Sequence, residues 1–381
     1  MKRFNHLAEE LYNVPFATHS IYEGTRHKRK RDDVAFLLDP SSKSEREIDN
    51  KKALSYARYL TKVLKTKTWK PKQGTFRRIW SKNRTKAGGK WREIYIPTID
   101  DHIISHMMVH ACREPFMKGM HPHCCGSVEG RGIKHILKYV SKWARFDTQA
   151  EYFVKLDVRK FFPSITKEGA LGVIESKIKD EEMLYLWRIY LEAAPCACPV
   201  GYYPSPHIAN LYLEDFDHFV EESLPGVLHY LRYSDDMLLI GSSPERLREA
   251  VYEIKTYLKE RKGLSIKDSW EVKKIGRGYI DEKGRYRLEK GTCYIDMGGY
   301  KFSRDVTIMR DGVYTSFKDL VRKISEKGYY SYDDAVSINA KYAWADECDS
   351  SHFIRTKVSP QVSIDMTRKV IGRVEKSRKR L

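Results

Sequence analysis

The sequence predicts an α+β fold in which short antiparallel strands are set among helices. Three observations carry that expectation. Leu231-Arg232-Tyr233 and Met237-Leu238-Leu239-Ile240 are strand-like apolar runs on either side of Ser234-Asp235-Asp236, which reads as a hairpin with both acids at its tip. Residues 76–82 and 91–97 alternate around Gly88-Gly89 and predict a second hairpin. Much of the remaining chain spaces its apolar residues i, i+3, i+4, which is the helical period.

In chain order, residues 1–75 read as helical, with Leu7, Leu11 and Val14, then Leu54, Ala57, Leu60, Val63 and Leu64 at helical spacing. Between them lies Arg26-His27-Lys28-Arg29-Lys30-Arg31, a basic run that on its own is a solvated loop. After the first hairpin, residues 100–117 predict an amphipathic helix with Ile103, Ile104, Met107, Met108, His110 and Ala111 on its apolar face. Phe153-Val154-Lys155-Leu156-Asp157 is a strand that delivers one carboxylate just before Phe161-Phe162-Pro163-Ser164-Ile165. Residues 168–191 predict two helices. Residues 244–262 predict another, built on Leu247, Ala250, Val251, Ile254 and Leu258. Gly263-Leu264-Ser265-Ile266-Lys267 is expected to return as a strand, Gly298-Gly299-Tyr300 to turn a further hairpin, and residues 311–381 to be helical with a basic tail.

Lys and Arg number 70 against 51 acids, a net charge of +19, which favours a polyanionic partner and says little about fold. Aromatic residues make up 12% of the chain, with 25 Tyr, which suits base stacking as well as packing. Seven cysteines, an odd number, fit a reducing compartment better than a disulfide framework. His121-Pro122-His123-Cys124-Cys125 is too compact for the separated ligand pairs of a zinc site, so buried thiols are expected there. No apolar run reaches the ~20 residues of a membrane span, and the first residues lead into no signal-peptide core. A cytoplasmic protein without membrane association is the expectation.

Asp235 and Asp236 repel each other and need a compensating cation. Alone, the pair would read as a solvated acidic turn. The strand ending in Asp157 changes that reading, because two strands that each end in a carboxylate can converge on a pair of divalent metals and steady a phosphoryl transfer.

Asp157 with Phe161-Phe162-Pro163-Ser164-Ile165 resembles the first catalytic block of reverse transcriptases, and Tyr233-Ser234-Asp235-Asp236 resembles their tyrosine-x-aspartate-aspartate block, 78 residues later. Between them, Pro199-Val200-Gly201, Ser205-Pro206 and Ala209-Asn210 are similar to the family's nucleotide-pocket block. The resemblance covers about residues 76–360 and implies a right-hand polymerase. Residues 1–75 would be a helical, basic extension, 76–310 the fingers and palm, and 311–381 a thumb with its basic tail. It further implies two Mg²⁺ ions, replaceable by Mn²⁺, held by Asp157, Asp235 and the Val158 carbonyl, with Asp236 in support. Arg92 and Lys82 would grip the incoming triphosphate, Phe162 would exclude the 2′-hydroxyl, Val200 and Gly201 would line the pocket, and Lys267 would donate a proton to the pyrophosphate. Arg29, Arg31, Arg131, Lys318, Arg322 and Lys323 are the expected nucleic-acid contacts, together with the primer-supporting turn at Gly299 and Tyr300.

The implied activity is DNA synthesis from dNTPs on an RNA template, with a structured non-coding RNA, a DNA primer or product and a basic accessory protein as partners. Many reverse transcriptases carry glutamine where Val200 stands, whereas enzymes of diversity-generating retroelements carry isoleucine, valine or leucine, so that class is the first expectation. Ser205-Pro206 instead resembles group II intron enzymes, and Trp344-Ala345-Asp346 resembles the thumb of retroelement and phage-defence enzymes. A retron-like or defence enzyme is therefore the alternative. A non-catalytic RNA-binding relative would have lost one of the three acids. An RNA-dependent RNA polymerase would carry glycine-aspartate-aspartate in the hairpin and a polar residue in place of Phe162. Maturase and endonuclease domains are not expected in the stretch that follows the expected thumb.

Overall fold

In the computed structural model, which describes residues 3–41, 47–82, 89–282 and 286–379, helices and short strands follow one another much as the hydrophobic patterning predicts. Helix α1 (Val14–Thr25) starts where the Asn13 side chain accepts from the Phe16 amide, and α2 (Asn50–Lys65) starts at Asp49 in the same way. Along α2, Ala57, Leu60 and Leu64 are buried while Leu54 is exposed. Strands β1 (Thr75–Lys82) and β2 (Gly89–Ile96) form the first hairpin, with Thr75 opposite Ile96.

The expected 100–117 helix is two, α3 (Ile99–Ala111) and the short α4 (Arg113–Met117), with the break at Cys112. Nor is α3 amphipathic. Residues 101–109 are all buried, because α1 packs along it and His102 Nε2 meets the Gly24 carbonyl at 3.1 Å. A helix covered on every side carries its polar groups inside and needs partners for them.

Helix α5 (Ile133–Phe146) leads into β3 (Tyr152–Asp157), followed by a single turn, α6 (Phe161–Ser164), and by α7 (Lys167–Lys177) and α8 (Glu181–Ala193). Next come α9 (Ser205–Tyr212), α10 (Glu214–Ser223) and the hairpin of β4 (His229–Tyr233) and β5 (Asp236–Gly241). Helix α11 (Pro244–Lys262) matches its predicted range and closes on Gly263 at φ 62°. The 263–267 strand is not formed. That segment pairs only through one antiparallel bridge, Val158 to Ile266, with the Arg159 amide donating to the Ser265 carbonyl and the Lys267 amide to the Asp157 carbonyl at the end of β3.

Beyond it lie β6 (Lys273–Ile275), an unforeseen hairpin of β7 (Gly278–Ile280) and β8 (Tyr286–Leu288), and β9 (Thr292–Cys293). Strands β10 (Ile295–Met297), β11 (Tyr300–Phe302) and β12 (Thr307–Met309) make a small antiparallel sheet that turns at Gly298-Gly299, as expected. Helices α12 (Asp311–Lys327), α13 (Tyr332–Asp346), α14 (Ser351–Phe353) and α15 (Ile364–Lys379) follow.

The main sheet runs β4-β5-β3-β6-β9 and is covered on both faces. Met237 and Leu239 of β5, with Val154 and Leu156 of β3, point into the larger core. Leu238, Ile240 and Phe153 point into a second core against Ile136 and Val140 of α5. Double-sided burial is why Met237–Ile240 reads as one unbroken apolar run.

Candidate active site

Antiparallel pairing of β3 with β5 fixes where the acids meet. The register that sets Val154 against Leu239 brings Asp157 directly opposite Asp236. In the adjoining hairpin Tyr233 pairs with Asp236, so Ser234 and Asp235 make the turn, and Ser234 takes the left-handed φ of 58°. The Val158 amide donates to the Asp235 carbonyl at 3.2 Å and fastens the two strand ends together. The three acids predicted from widely separated stretches therefore lie together where β3 ends and β5 begins.

Burial raises the Asp235 carboxyl above the ordinary carboxylate range, and the nearby charges of Asp157 and Asp236 raise it further, while Lys267 opposes them. The Lys267 ammonium stands 2.5 Å from Asp157 Oδ2, and its backbone amide donates to the Asp157 carbonyl at 2.9 Å. Lys267 is thus the compensating cation that the acid cluster requires. Asp157 Oδ1 is buried and accepts no hydrogen bond among the described residues. A buried carboxylate oxygen left unpaired beside two further carboxylates fits a hard, oxygen-seeking divalent cation. Among the described residues no three His, Cys, Asp or Glu side chains converge into a ready-made metal cage, so such an ion would draw its remaining ligands from water and phosphate.

The hairpin's position rests on a residue that sequence patterning did not single out. Arg232 is completely buried in β4 and donates to both carboxylate oxygens of buried Asp217 on α10, each at 2.7 Å. Its Nη1 also reaches the Ser234 carbonyl and the Asn210 side chain, both at 3.1 Å. Asn210 in turn donates to the Gly126 carbonyl at 2.7 Å. A Cβ at Gly126 would lie 2.6 Å from the Ser234 amide, so glycine is required for that loop to pass under the turn. An arginine inside a strand with a charged residue in no neighbouring position was the available signal.

A cavity of about 980 Å³ lies alongside, and Phe162, Pro199, Val200, Gly201 and Tyr203 are among its walls. Val200 is 41% exposed and so faces the opening, where packing beneath its turn would have buried it. Phe162 is partly buried against the larger core. Gly201 has φ 108°, and a Cβ there would sit 2.3 Å from the Tyr95 carbonyl oxygen. The Tyr95 amide donates to the Val200 carbonyl at 2.8 Å, which ties the β1–β2 hairpin to the cavity wall. On that hairpin Arg92 is exposed opposite Ile79, and Glu93 pairs with Arg78 at 3.0 Å. Lys82 ends β1, and its side chain lies outside the described residues.

Several expected nucleic-acid contacts have internal roles. Arg31 donates to the Pro97 carbonyl at 2.8 Å and pairs with Asp33, so it tethers the N-terminal segment to the end of the β1–β2 hairpin. Arg29 is partly buried. Arg131 Nη1 donates to the carbonyls of His121 and Cys124 and braces their loop. Tyr300 is buried with its ring stacked 5.2 Å from that of Trp344, so its side chain packs β11 onto α13 and cannot touch a primer. Gly299 is essential to that packing, since a Cβ would lie 2.2 Å from the Trp344 ring. Lys318, Arg322 and Lys323 are exposed on α12.

Residues 84–269 match the family profile described as "Reverse transcriptase (RNA-dependent DNA polymerase)". The chain is 27% identical over 167 residues to the Retron Ec73 reverse transcriptase of Escherichia coli, covering 40% of this chain and 50% of that protein. It is 22% identical over 210 residues to Protein YkfC of Escherichia coli strain K12, covering 44% of this chain and 55% of that one. The chain thus spans about half the length of the curated relatives it matches. No helix among the described residues is long and apolar enough to cross a membrane.

Proposed function

For a chain whose residues 84–269 are a bacterial reverse transcriptase domain, we propose RNA-templated DNA synthesis by nucleotidyl transfer at Asp157, Asp235 and Asp236. The observation that carries this reading is the register of β3 against β5, which sets Asp157 opposite Asp236 with Asp235 in the adjoining turn. Asp157, Asp235 and the Val158 carbonyl would hold two Mg²⁺ ions, with Asp236 in support. When bound, such a pair lowers the pKa of the primer 3′-hydroxyl and neutralises the leaving pyrophosphate. The chain's own part is to hold the acids in register, to balance them with Lys267 until phosphate arrives, and to position the nucleotide. Arg92 offers the fork that matches phosphate oxygens. Lys267, which pairs with Asp157, would hold a proton near the leaving group. In this reading residues 76–310 are fingers and palm, 311–381 the thumb, and Lys318, Arg322 and Lys323 track the duplex backbone.

Phe162 lines the cavity five residues beyond Asp157, where it would exclude a ribose 2′-hydroxyl. Phe162→Ala is expected to raise ribonucleotide use relative to deoxynucleotide by about ten- to a hundredfold, measured as the ratio of kcat/KM values on one RNA template. An unchanged ratio would make the ring a packing residue only.

Val200 faces the same opening without the hydrogen bond a glutamine would make. Val200→Gln should lower misincorporation by about tenfold, with equal or slower turnover, when products from a defined RNA template are sequenced. An error spectrum identical to the parent's would contradict that role. The Val200 side chain favours a diversity-generating retroelement. The similarity to a retron enzyme favours a second reading, in which the template is a dedicated structured RNA. Sequencing the nucleic acid that co-purifies with the chain distinguishes them.

A further inference from the structure

Beside the acid cluster lies a group of exposed cations that neither the core nor the proposed chemistry uses. The bridge between Val158 and Ile266 buries both of those side chains. Their neighbours, Asp157 and Arg159 facing Lys267 and Ser265, therefore stand together on the outer side. Arg159 is thus the next cation after Lys267 on the face that carries the Asp157 carboxylate. It also forms one wall of a groove of about 380 Å³, with Lys255 and Lys259 of α11 on the other side and Asp268 as the acid between them. Lys255 and Lys259 are four residues apart and so share one face of that helix.

Asp268 shows how this groove holds an anion. Its carboxylate bridges two cations, with Arg159 Nη2 2.9 Å from Oδ2 and Lys255 Nζ 3.8 Å from Oδ1. The Lys255 ammonium also lies 6.0 Å from the Trp270 ring centroid, which steadies it. The Asp268 side chain is 77% exposed, and ion pairs that open to water add little to stability. Three cations around one exposed carboxylate leave an excess of positive charge, which suits a small anion carrying several charges. A nucleic-acid backbone would need a longer track of cations than one short groove offers. Position selects among small anions, because nucleotidyl transfer at the three acids releases pyrophosphate beside Lys267, on the face that Arg159 shares. We propose that Arg159, Lys255 and Lys259 form a receiving site for the leaving pyrophosphate, which takes the place of the Asp268 carboxylate. The proposal rests on the nucleotidyl-transfer reading given above.

The test runs the reaction backwards, where pyrophosphate attacks the last phosphodiester of the primer and releases a dNTP. Arg159→Ala/Lys255→Ala should raise the KM for pyrophosphate by about tenfold or more and weaken product inhibition of forward synthesis to match. The KM for dNTP should stay within about twofold of the parent's. Asp268→Asn should move the pyrophosphate KM and the inhibition the other way by about threefold, because it removes the competing charge. A pair that served only to brace the fold would shift all these variants in one direction. In parallel, sodium pyrophosphate titrated into the chain in EDTA excludes metals held by the acids. It should bind the wild type saturably, weaken with salt, and fail to bind the double-alanine protein. No binding by the wild type, unchanged pyrophosphate constants in the double-alanine protein, or a dNTP KM that rises as much as that for pyrophosphate would overturn the receiving site. A chain that binds pyrophosphate through these residues but never extends a primer would sink the polymerase reading and leave an anion site standing. Normal extension with unaffected pyrophosphate constants would do the reverse.

Discussion

Asp235→Asn should abolish primer extension, a loss of at least about a thousandfold in kcat, while RNA binding and fold persist. The residue sits in the turn between β4 and β5, its carbonyl fastened to the Val158 amide and its carboxylate beside Asp157 and Asp236. In the proposed mechanism the site stabilises an attacking and a leaving oxygen, and removing one of its charges would cost several kcal/mol of transition-state stabilisation. Stability should move the other way. Burial and repulsion make the folded chain bind a proton at Asp235 more readily than the unfolded chain does, so the ionised carboxylate opposes folding at neutral pH. That opposition disappears as pH falls below the ordinary carboxylate range. In chelator at neutral pH the Asn protein should therefore melt no lower than the parent, and any advantage should vanish near pH 3. Appreciable extension by the Asn protein would overturn the catalytic assignment.

The second large effect is expected at Asp217, which reaches the acidic turn only through Arg232. Asp217→Ala leaves the fully buried Arg232 guanidinium without its counter-ion and should destabilise the chain by about 3–5 kcal/mol, read from the shift in urea midpoint. Asp217→Asn combined with Arg232→Met should recover part of that loss, because it removes the unpaired charge with the pair. Arg232 also donates to the Ser234 carbonyl, so the single variant should blur the position of the acidic turn and reduce activity in the protein that remains folded. A shift below about 1 kcal/mol would place the pair among replaceable contacts.

These two residues mark what sequence reading could and could not reach. Asp157, Asp235 and Asp236 were legible because each sits where a strand-like apolar run stops, and strand pattern and carboxylate chemistry point the same way. Val200 and Gly201 were legible from a short motif. The Asp217–Arg232 pair was not, since its partners come from α10 and β4 and also involve Asn210 on α9, and their meeting is a product of packing. The buried α3 misled for a related reason. An amphipathic helix was expected there, but α1 packs along it and His102, Ser105 and His106 are buried together with its apolar residues. Tyr300 misled because the motif locates a turn while only the packed structure shows its ring held against Trp344. Lys267 was found as a motif residue, but its contact with Asp157 depends on the single antiparallel bridge that docks the 263–267 segment at the end of β3, where a full strand had been expected.

The central claim is tested most directly by extending a DNA primer on a defined RNA template with the purified chain in Mg²⁺, offering dNTPs or NTPs in separate reactions. The account predicts template-complementary DNA from dNTPs, little product from NTPs and none in EDTA or from Asp235→Asn. No extension under any divalent metal, or extension that prefers NTPs, would contradict it.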